Sequence, residues 1–395
     1  MRFLRSVENQ TLLAIILAVL AGLYLPEVVS KISLLGDIFL RLLKMIIAPL
    51  ILASVYTSVS GLGSISRVKD LGLKTLLYYF LTTSLAVLTG LLLVNLLEPG
   101  HTGEKLFSHT AIHVKGLTLK DLVLSLIPEN PVKSVAEGEV LPIIFFALAF
   151  GLATLSLEPT RKRLLFDFFE ALNDALITLI RWIVRLTPIG VFAIVAGIVA
   201  EKGLSPLFQL SSYVVTVVSG LTIHAALTLG GLLFLLGRTK PWDYFLRVRE
   251  ALLVAFSTAS SSATLPISLE VAEEKAGIPK KVAGFVLPLG ATINMDGTAL
   301  YEAVAAMFIA NVYGVSLGFG EQVLIFLTAT LASIGAAGIP SAGLVTMTLV
   351  LQTVGLPLEG IGLILAVDRF LDMMRTAVNV WGDLIGAKII SRLTS

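Results

Sequence analysis

The sequence predicts an all-α protein that crosses a membrane several times. Of its 395 residues only 14% are charged, whereas soluble proteins usually carry about 25% charged residues. Most of the stretches without charge are as long as the ~20 apolar residues that a helix needs to cross the hydrocarbon core. The charge-free stretches are 9–26, 45–66, 75–97, 140–157, 203–237, 251–269, 303–320 and 322–358, with a shorter one at 186–200. The series predicts a polytopic membrane protein, in which 9–26 is a retained first span rather than a signal peptide.

Net charge and cysteine content exclude other classes of protein. The formal net charge of +2 is too small for the basic surfaces that bind nucleic acid, so no nucleic-acid partner is predicted. The chain has no cysteine, which rules out disulfides, thiolate metal sites and a cysteine nucleophile. The hydroxyl-rich segment 260–262 could suggest a serine nucleophile, but no positioned base accompanies it, so no enzyme is predicted.

Lysine and arginine residues indicate how the chain is oriented. They cluster in alternate connections, at Arg2 and Arg5, at Arg67, Lys69 and Lys74, at Arg161, Lys162 and Arg163, at Arg238, Lys240, Arg247 and Arg249, and at Lys388 and Arg392. Because such connections stay on the cytoplasmic side, both termini are predicted to be cytoplasmic and 99–139 to be external. His101, His109 and His113 lie in this external loop and are interpreted as solvated residues, with metal binding as the alternative.

Two of the apolar stretches, 251–269 and 322–358, contain small residues followed by proline. Such residues interrupt helices, and an interrupted backbone at membrane depth must be covered by protein or water. Each stretch is therefore predicted to be a re-entrant hairpin, with its tip at 260–266 or 335–343, and two kinked helices are the alternative. Long spans follow the hairpins at 282–313 and at 360–390. A unit that occurs twice indicates a repeat, and interrupted elements in both halves indicate a binding site near the membrane midplane.

The last span contains a row of charged and polar residues at helical spacing. Asp368, Asp372, Arg375, Asn379 and Asp383 follow one another at intervals of 4, 3, 4 and 4 residues, which keeps them within about 80° on one helix face. Charges inside a membrane are costly, so this face is predicted to line a binding site. Arg375 suits a substrate carboxylate, and Asp372 suits an ammonium group. An internal salt bridge between Asp372 and Arg375, without any ligand, is the alternative.

The preceding span has the residue types of a cation site. Gly290 and Gly297 flank Asn294 and Asp296, and because glycine weakens a helix, an unwound segment is predicted there. Backbone carbonyls and a carboxylate are hard oxygen ligands, which suit an alkali cation and not a soft transition metal. A buried aspartate satisfied by a neighbouring hydroxyl is the alternative. His224 is interpreted as a packed or hydrogen-bonded histidine, and a proton relay is its alternative role.

Four motifs in sequence carry a resemblance to a known family. They are the serine-rich segment 260–262 with 264–266, Asn294–Thr298, Gly338–Pro340 and Asp372–Asp383. In this order they resemble the dicarboxylate/amino acid:cation symporter family, which includes the excitatory amino acid transporters and the archaeal sodium–aspartate transporters. The resemblance implies eight transmembrane helices, two re-entrant helical hairpins with inverted repeats, a homotrimer and an elevator-type mechanism.

The resemblance also implies a division into two domains. Residues 1–70 would form scaffold helices 1 and 2, and 71–98 would form helix 3 of the transport domain. Residues 99–204 would hold the external loop and scaffold helices 4 and 5. Residues 205–395 would be the transport-domain core, with helix 6, hairpin 1, helix 7, hairpin 2 and helix 8. The transport domain would carry substrate across by moving against the scaffold, with the second hairpin as the outer gate.

Matching the motifs residue by residue implies one substrate site and three sodium sites. Arg375 matches the residue that holds a side-chain carboxylate, and Asp372 matches the residue that holds an amino group. The other implied substrate contacts are Ser261, Thr298, Ile339, Gly343, Thr376 and Asn379. The first sodium site would consist of the Gly290 carbonyl, Asn294, Asn379 and Asp383, the second of carbonyls at Thr292, Met295, Ser333, Ile334 and Ala336, and the third of Tyr79, Thr82, Thr83, Asn294 and Asp296.

These matches predict a secondary symporter of the plasma membrane that imports L-glutamate or L-aspartate with several sodium ions (Na+). The presence of Arg375, Asp372 and Asp383 together favours this branch over those for neutral amino acids, C4-dicarboxylates or proton drive. Glu302 matches a proton carrier, which leaves proton (H+) co-transport and potassium (K+) counter-transport open. A proton-coupled glutamate or C4-dicarboxylate symporter of the same fold is the alternative.

The family's second arginine is missing from this chain. Its two usual positions are occupied by Ala259 in the first hairpin tip and Met373 in the last span. This departure from the family pattern concerns the potassium step and the electrostatics of the pocket. An anion channel is a further alternative, because the family resemblance includes a substrate-gated anion conductance.

Overall fold

The computed structural model describes residues 7–61, 71–100, 127–333 and 342–394. All regular secondary structure in these ranges is helical, which confirms the predicted all-α class. The helices are α1 (Val7–Tyr24), α2 (Pro26–Ser60), α3 (Leu73–Leu97), α4 (Pro131–Glu137), α5 (Val140–Thr154), α6 (Pro159–Val184), α7 (Thr187–Lys202), α8 (Ser205–Ile223), α9 (Gly230–Leu235), α10 (Pro241–Thr258), α11 (Ser261–Glu270), α12 (Lys280–Ile293), α13 (Asp296–Tyr313), α14 (Phe319–Ala332), α15 (Ala342–Thr353) and α16 (Ile361–Leu393). Two π-helical segments, His224–Leu229 and Val271–Lys275, follow α8 and α11.

Within the described ranges, two helical segments are long and apolar enough to cross a membrane, namely α3 and Gln209–Leu235, which runs from α8 into α9. The second lies inside the charge-free stretch 203–237, and α3 covers the stretch 75–97 and begins two residues before it. Shorter apolar helical segments are Leu13–Tyr24, Ala48–Thr57, Pro142–Thr154, Thr187–Glu201 and Phe319–Ala332. The number of membrane spans therefore stays a prediction.

Two helices include charged residues and were therefore not fully predicted from the charge-free stretches. Helix α2 begins at Pro26, well before residue 45, and its first half carries Glu27, Lys31, Asp37, Arg41 and Lys44. Helix α6 was not among the charge-free stretches, because it starts with a run of basic residues. In α6 the apolar side chains of Leu165, Phe169 and Leu176 pack against the core. A helix can place charge on one face and apolar residues on the other, and a search for uncharged stretches does not detect this arrangement.

The helices that carry the predicted site residues pack on one another. Helix α3 packs on α13, and α16 packs on α8, α10, α12 and α13. Away from them, α1 lies along α7, and α2 packs on α5, α6 and α7. The division into a scaffold and a transport domain stays a prediction.

The first predicted hairpin is a pair of helices, α10 and α11, that pack against each other. The turn is shorter than predicted: Ala259 adopts the left-handed conformation at φ 50°, and the hydroxyl of Ser260 caps α11 by accepting a hydrogen bond from the Ala263 N–H at 3.2 Å. Pro266 lies inside α11 rather than ending it. The two arms of the second hairpin, α14 and α15, also pack together, but its predicted tip lies mostly at 334–341, outside the described residues.

Glycines allow α1, α2 and α7 to pack closely. A Cβ atom on Gly22 of α1 would lie 2.7 Å from the Val199 Cβ and 2.8 Å from the Ala196 carbonyl oxygen, both in α7. On Gly36 of α2, a Cβ would lie 2.8 Å from a side-chain carbon of Ile194. Small residues that bring backbones together are the usual device of helix packing in membranes.

This close packing predicts that Gly22→Ala destabilises the protein. The added methyl meets a backbone oxygen that cannot move aside, and overpacking of this kind costs about 1–3 kcal/mol. Gly197→Ala in α7 is the matched control, because a Cβ there meets nothing within 4 Å. Its expected effect is neutral or stabilising, since alanine favours a helix over glycine by about 0.5–1 kcal/mol. Thermal unfolding of the purified variants measures both, and a rise in the melting temperature of Gly22→Ala would contradict the packing described.

Candidate functional site

The row of charged and polar residues on α16 faces the protein interior, as predicted. Asp368, Asp372, Arg375, Asn379 and Asp383 are all buried, and none exposes more than 6% of its surface. On the other side of the helix, Phe370 is 51% exposed. The spacing of the row therefore identified the buried face of α16 correctly.

The Arg375 guanidinium lies among acidic and aromatic side chains. Its Nη2 donates to the Oδ1 of Asp372 at 2.8 Å and lies 3.2 Å from the Oδ1 of Asp368. The plane of the Tyr301 ring lies beneath it, with Cζ 3.8 Å from the ring centroid, and the Tyr301 hydroxyl donates to Asp368 at 2.7 Å. Each of these contacts stabilises a buried cation. The internal salt bridge that was the alternative for Asp372 is therefore present.

The same guanidinium keeps donors that these contacts do not use. Nη1 and Nε of Arg375 are buried and have no hydrogen-bond partner among the described residues. A Cβ on Gly343, at the start of α15, would lie 3.1 Å from Nη1, so the second hairpin meets the guanidinium on that side. Unpaired buried donors are costly, which makes this the most direct sign of a ligand in the described part of the chain.

The remaining predicted substrate contacts differ in what the structure shows of them. The Thr298 hydroxyl accepts a hydrogen bond from Nδ2 of Asn379 at 3.3 Å. Thr376 and Ser261 are buried, Thr376 on α16 and Ser261 at the start of α11. Ile339 lies outside the described residues.

The predicted interruption of the preceding span is present and comprises two residues. Helix α12 ends at Ile293, Asn294 and Met295 have non-helical backbone angles, and α13 begins at Asp296. Gly290 and Gly297 themselves lie in helix on either side of the interruption. Their lack of a side chain also permits contact, since a Cβ on Gly290 would collide with the Asp383 carboxylate and the Tyr79 hydroxyl. A Cβ on Gly297 would lie 2.7 Å from the Arg375 carbonyl oxygen.

The residues of the first predicted sodium site converge at this interruption. Nδ2 of Asn294 donates to the Oδ1 of Asp383 at 2.9 Å and lies 3.4 Å from the carbonyl oxygen of Asn379. The Oδ1 of Asn294 is buried and has no partner within the described ranges. The site thus offers an unpaired amide oxygen and a carboxylate, and the Asp383 carboxylate lies against the backbone at Gly290. Oxygen ligands of this kind fit a small alkali cation. No three histidine or acidic side chains of the described residues gather as a transition-metal site requires.

Asn379 connects the cation residues to the substrate residues. Its Oδ1 accepts the Gly297 N–H at 2.7 Å, and its Nδ2 contacts both the Thr298 hydroxyl and the Met295 sulfur at 3.3 Å. The Asn379 side chain thus contacts three positions at the beginning of α13, namely Met295, Gly297 and Thr298. A ligand at Thr298 and a cation at Met295 or Asn294 would both act on this one amide.

Residues of the third predicted site surround Asp296, which is fully buried. Its Oδ1 accepts hydrogen bonds from Thr83 at 2.7 Å and Thr82 at 3.2 Å, and its Oδ2 lies 3.2 Å from the Nε2 of His224. The hydroxyl-satisfied aspartate that was the alternative is therefore also present. The Tyr79 hydroxyl donates elsewhere, to the Val286 carbonyl at 2.9 Å.

The second predicted site is described only in part. The Thr292 side chain is exposed and donates to the Leu289 carbonyl at 2.9 Å, and the Ser333 hydroxyl donates to the Thr330 carbonyl at 2.7 Å. Both hydroxyls are thus engaged within their own helices, so backbone carbonyls are the groups that these positions could supply. Ile334 and Ala336 lie outside the described residues.

Glu302 is fully buried on α13 and meets the second hairpin. Its Oε1 accepts a hydrogen bond from the Thr346 hydroxyl of α15, and its Oε2 has no partner among the described residues. A buried carboxyl group with one unpaired oxygen can carry a proton there at low cost. The proton-carrier role predicted for Glu302 stays a prediction.

Sequence reasoning missed three residues of this site. Tyr301 lies beneath Arg375, Thr346 bonds to Glu302, and His224 bonds to Asp296, where the histidine had been assigned no particular partner. The contacts join residues 44 or more positions apart in sequence, so local spacing carries no signal for them. The interpretation of His224 as a hydrogen-bonded histidine is consistent with its contact.

Comparison with known proteins agrees with this geometry. The family model described as the Sodium:dicarboxylate symporter family matches residues 8–393. The chain is 39% identical to excitatory amino acid transporter 3 of Mus musculus, over 100% of this chain and 87% of the relative. It is 40% identical to excitatory amino acid transporter 2 of Homo sapiens, over 93% and 74%. It is 35% identical to the proton/glutamate-aspartate symporter of Escherichia coli, over 98% and 92%. The chain therefore belongs to the sodium:dicarboxylate symporter family.

Proposed function

We propose that the protein is a multi-pass symporter of the plasma membrane that imports L-glutamate or L-aspartate together with sodium ions. The observation that carries the proposal is the fully buried Arg375, which pairs with Asp372 and still has Nη1 and Nε without partners among the described residues. A cation with spare donors beside an acid suits a zwitterion with an additional carboxylate. The relatives named excitatory amino acid transporter and proton/glutamate-aspartate symporter support the substrate class.

In this proposal the substrate lies between α16 and the second hairpin. Its side-chain carboxylate accepts from Nη1 of Arg375, the donor next to Gly343, and its ammonium group pairs with Asp372. Thr298 and Asn379 bind the remaining polar groups, and Tyr301 holds the guanidinium plane in place from the opposite side. The Asp368 carboxylate stays with Nη2 and fixes the orientation of the fork.

Sodium ions are transported with the substrate, and three sites are proposed from the family resemblance. Asn294, Asp383, Asn379 and the Gly290 carbonyl hold the first, carbonyls around Met295 hold the second, and Asp296 with its threonines holds the third. Coupling follows if each ligand binds better when the other is present. Asn379 supports this coupling, because its one amide contacts Met295, Gly297 and Thr298.

The proposal also includes four features that the resemblance and the charge distribution indicate. They are a homotrimer, an elevator movement, eight membrane spans and cytoplasmic termini. Helices α1 and α2 expose rows of large apolar residues that lipid or neighbouring subunits would cover. Examples are Ile16, Leu17 and Leu20 on α1 and Leu34 and Ile38 on α2. The distribution of lysine and arginine supports cytoplasmic termini.

Proton-coupled import of the same substrates is the second candidate. The buried Glu302, with its unpaired Oε2 and its bond to Thr346 of the second hairpin, favours it. The relative from Escherichia coli is named a proton symporter. Proton transport through Glu302 is also compatible with sodium coupling, so the two candidates differ in whether sodium is required.

The role of Arg375 predicts that Arg375→Lys retains folding and weakens substrate binding. Lysine keeps the charge that balances Asp368 and Asp372 but lacks the planar fork. Losing one charged hydrogen bond costs about 1.5–3 kcal/mol, or roughly 10- to 150-fold in affinity for aspartate. Alanine is a poorer test, because an uncompensated buried acid pair destabilises the fold by about 3–5 kcal/mol.

Binding of radiolabelled aspartate and glutamate in detergent measures this effect. Arg369→Lys is the matched control, since Arg369 is on the same helix but off the buried row. Its affinity is expected to stay within about twofold of the unaltered protein, because the lysine substitution there leaves the fork at Arg375 intact. Unchanged affinity in Arg375→Lys would contradict the proposed substrate site.

The driving ion is predicted to be sodium. In proteoliposomes, an inward sodium gradient at equal pH on both sides should drive accumulation of aspartate, because the sites at Asn294 and Asp296 need a cation. Uptake under a proton gradient in sodium-free medium would favour the second candidate instead. Glu302→Gln separates the two further: it should remove any substrate-coupled proton influx while sodium-dependent aspartate binding persists.

A further inference from the structure

We propose that His224 is a positioning residue for the cation site at Asp296, holding one carboxylate oxygen so that the other is presented to the cation. The proposal rests on the proposed sodium-coupled function, since that function assigns Asp296 as a cation ligand. The proposal adds His224 to this site, which the resemblance to the family had assigned to Tyr79, Thr82, Thr83, Asn294 and Asp296.

The contact between the two side chains has a defined direction. Nε2 of His224 lies 3.2 Å from Oδ2 of Asp296, and both side chains are fully buried. A carboxylate oxygen accepts hydrogen bonds, so the shared proton belongs to Nε2. Nδ1 has no partner among the described residues, so the tautomer with its proton on Nε2 is the one that satisfies the contact.

The backbone around His224 explains why its ring reaches Asp296. His224 begins the π-helical segment that joins α8 to α9, and such segments are rare and concentrate at functional sites. The indole Nε1 of Trp381 donates to the carbonyl of Ala225, within this segment, at 3.1 Å. Trp381 is two residues from Asp383 on α16. Helix α16 therefore carries Asp383 of the first cation site and is also hydrogen-bonded to the segment that contains His224.

The two oxygens of Asp296 have different partners, which gives them different roles. Oδ1 accepts from the hydroxyls of Thr82 and Thr83, and hydroxyls can turn a lone pair toward a cation when one binds. The Thr82 hydroxyl already has another acceptor, the Tyr79 carbonyl at 3.2 Å. Oδ2 is held by the imidazole, whose donor is fixed in the ring. A cation that binds Oδ1 replaces the hydrogen bonds from the two hydroxyls. The hydrogen bond from His224 to Oδ2 remains and keeps the carboxylate in its orientation.

Loss of such a supporting partner typically weakens metal binding by about 10–100-fold. The test compares His224→Gln with His224→Asn. The amide nitrogen of glutamine can reach about the position of Nε2 and donate to Asp296, whereas that of asparagine reaches only the position of Nδ1. Sodium affinity is measured without substrate, from the rise in melting temperature on titration with sodium chloride against choline chloride.

We expect the Gln variant to keep its sodium affinity within about threefold and the Asn variant to lose roughly 10–100-fold. Tyr56→Phe is the control for a lost buried hydrogen bond, because the Tyr56 hydroxyl donates to the Thr154 hydroxyl at 2.9 Å, between α2 and α5, which carry none of the proposed cation ligands. It should lower the melting temperature without changing sodium affinity. Equal sodium affinity in the Asn, Gln and unaltered proteins would overturn the proposal.

A second measurement leaves His224 in place and covers the case in which both variants fail to fold. The chain has four histidines, so replacing His101, His109 and His113 leaves His224 as the sole source of imidazole 15N signals. Nε2 should carry the proton, with Nδ1 bare, with and without sodium. A proton on Nδ1 and none on Nε2 would overturn the proposal. Failure of the proposed function would look different, because the unaltered protein would then show no sodium-dependent stabilisation at all.

Discussion

A helix that stops at Ile293 and restarts at Asp296 leaves backbone groups that need partners inside the protein, because lipid offers none. Helix α16 supplies a partner for one of them, because Asn379 accepts the Gly297 N–H. It also holds the side chain of Asn294, whose Nδ2 donates to Asp383. These bonds need close contact, which explains the absence of a side chain at Gly297. The groups that satisfy the interruption are also those proposed to bind sodium, so ion binding and the stability of this region depend on the same contacts.

The charge balance of the region has a related consequence. Among the described residues, the fully buried guanidinium of Arg375 lies beside Asp368 and Asp372, and the positions where the family has a second arginine hold Ala259 and Met373. Asp296 and Glu302 on α13 and Asp383 on α16 are buried acids as well. Buried charge without compensation is strongly unfavourable. Sodium ions, a proton on Glu302 and the ammonium group of a substrate are the cations that the proposed cycle offers to balance it.

The sequence predicted those features that depend on local periodicity. The buried face of α16 followed from helical spacing, and the interruption at Asn294 followed from its residue types. Helices α2 and α6 were underestimated, because charge on one face of a helix does not prevent burial of the other. Contacts such as Tyr301 with Arg375 and His224 with Asp296 join distant elements, and a single sequence contains no signal that pairs them. The salt bridge and ligand interpretations of Arg375 are compatible, because Nη2 makes the bridge while Nη1 has no partner among the described residues.

The central claim is that sodium and an acidic amino acid bind to one connected set of residues. The most direct measurement is the reciprocal effect on affinity, with Kd for aspartate determined at low and at saturating sodium, and Kd for sodium determined without and with aspartate. Linkage requires that the factor by which saturating sodium tightens aspartate binding equals the product of the factors by which aspartate tightens each sodium binding step, and a single coupling typically amounts to about 5- to 150-fold. The account predicts factors well above one in both directions. Aspartate binding of the same affinity in choline as in sodium would contradict it.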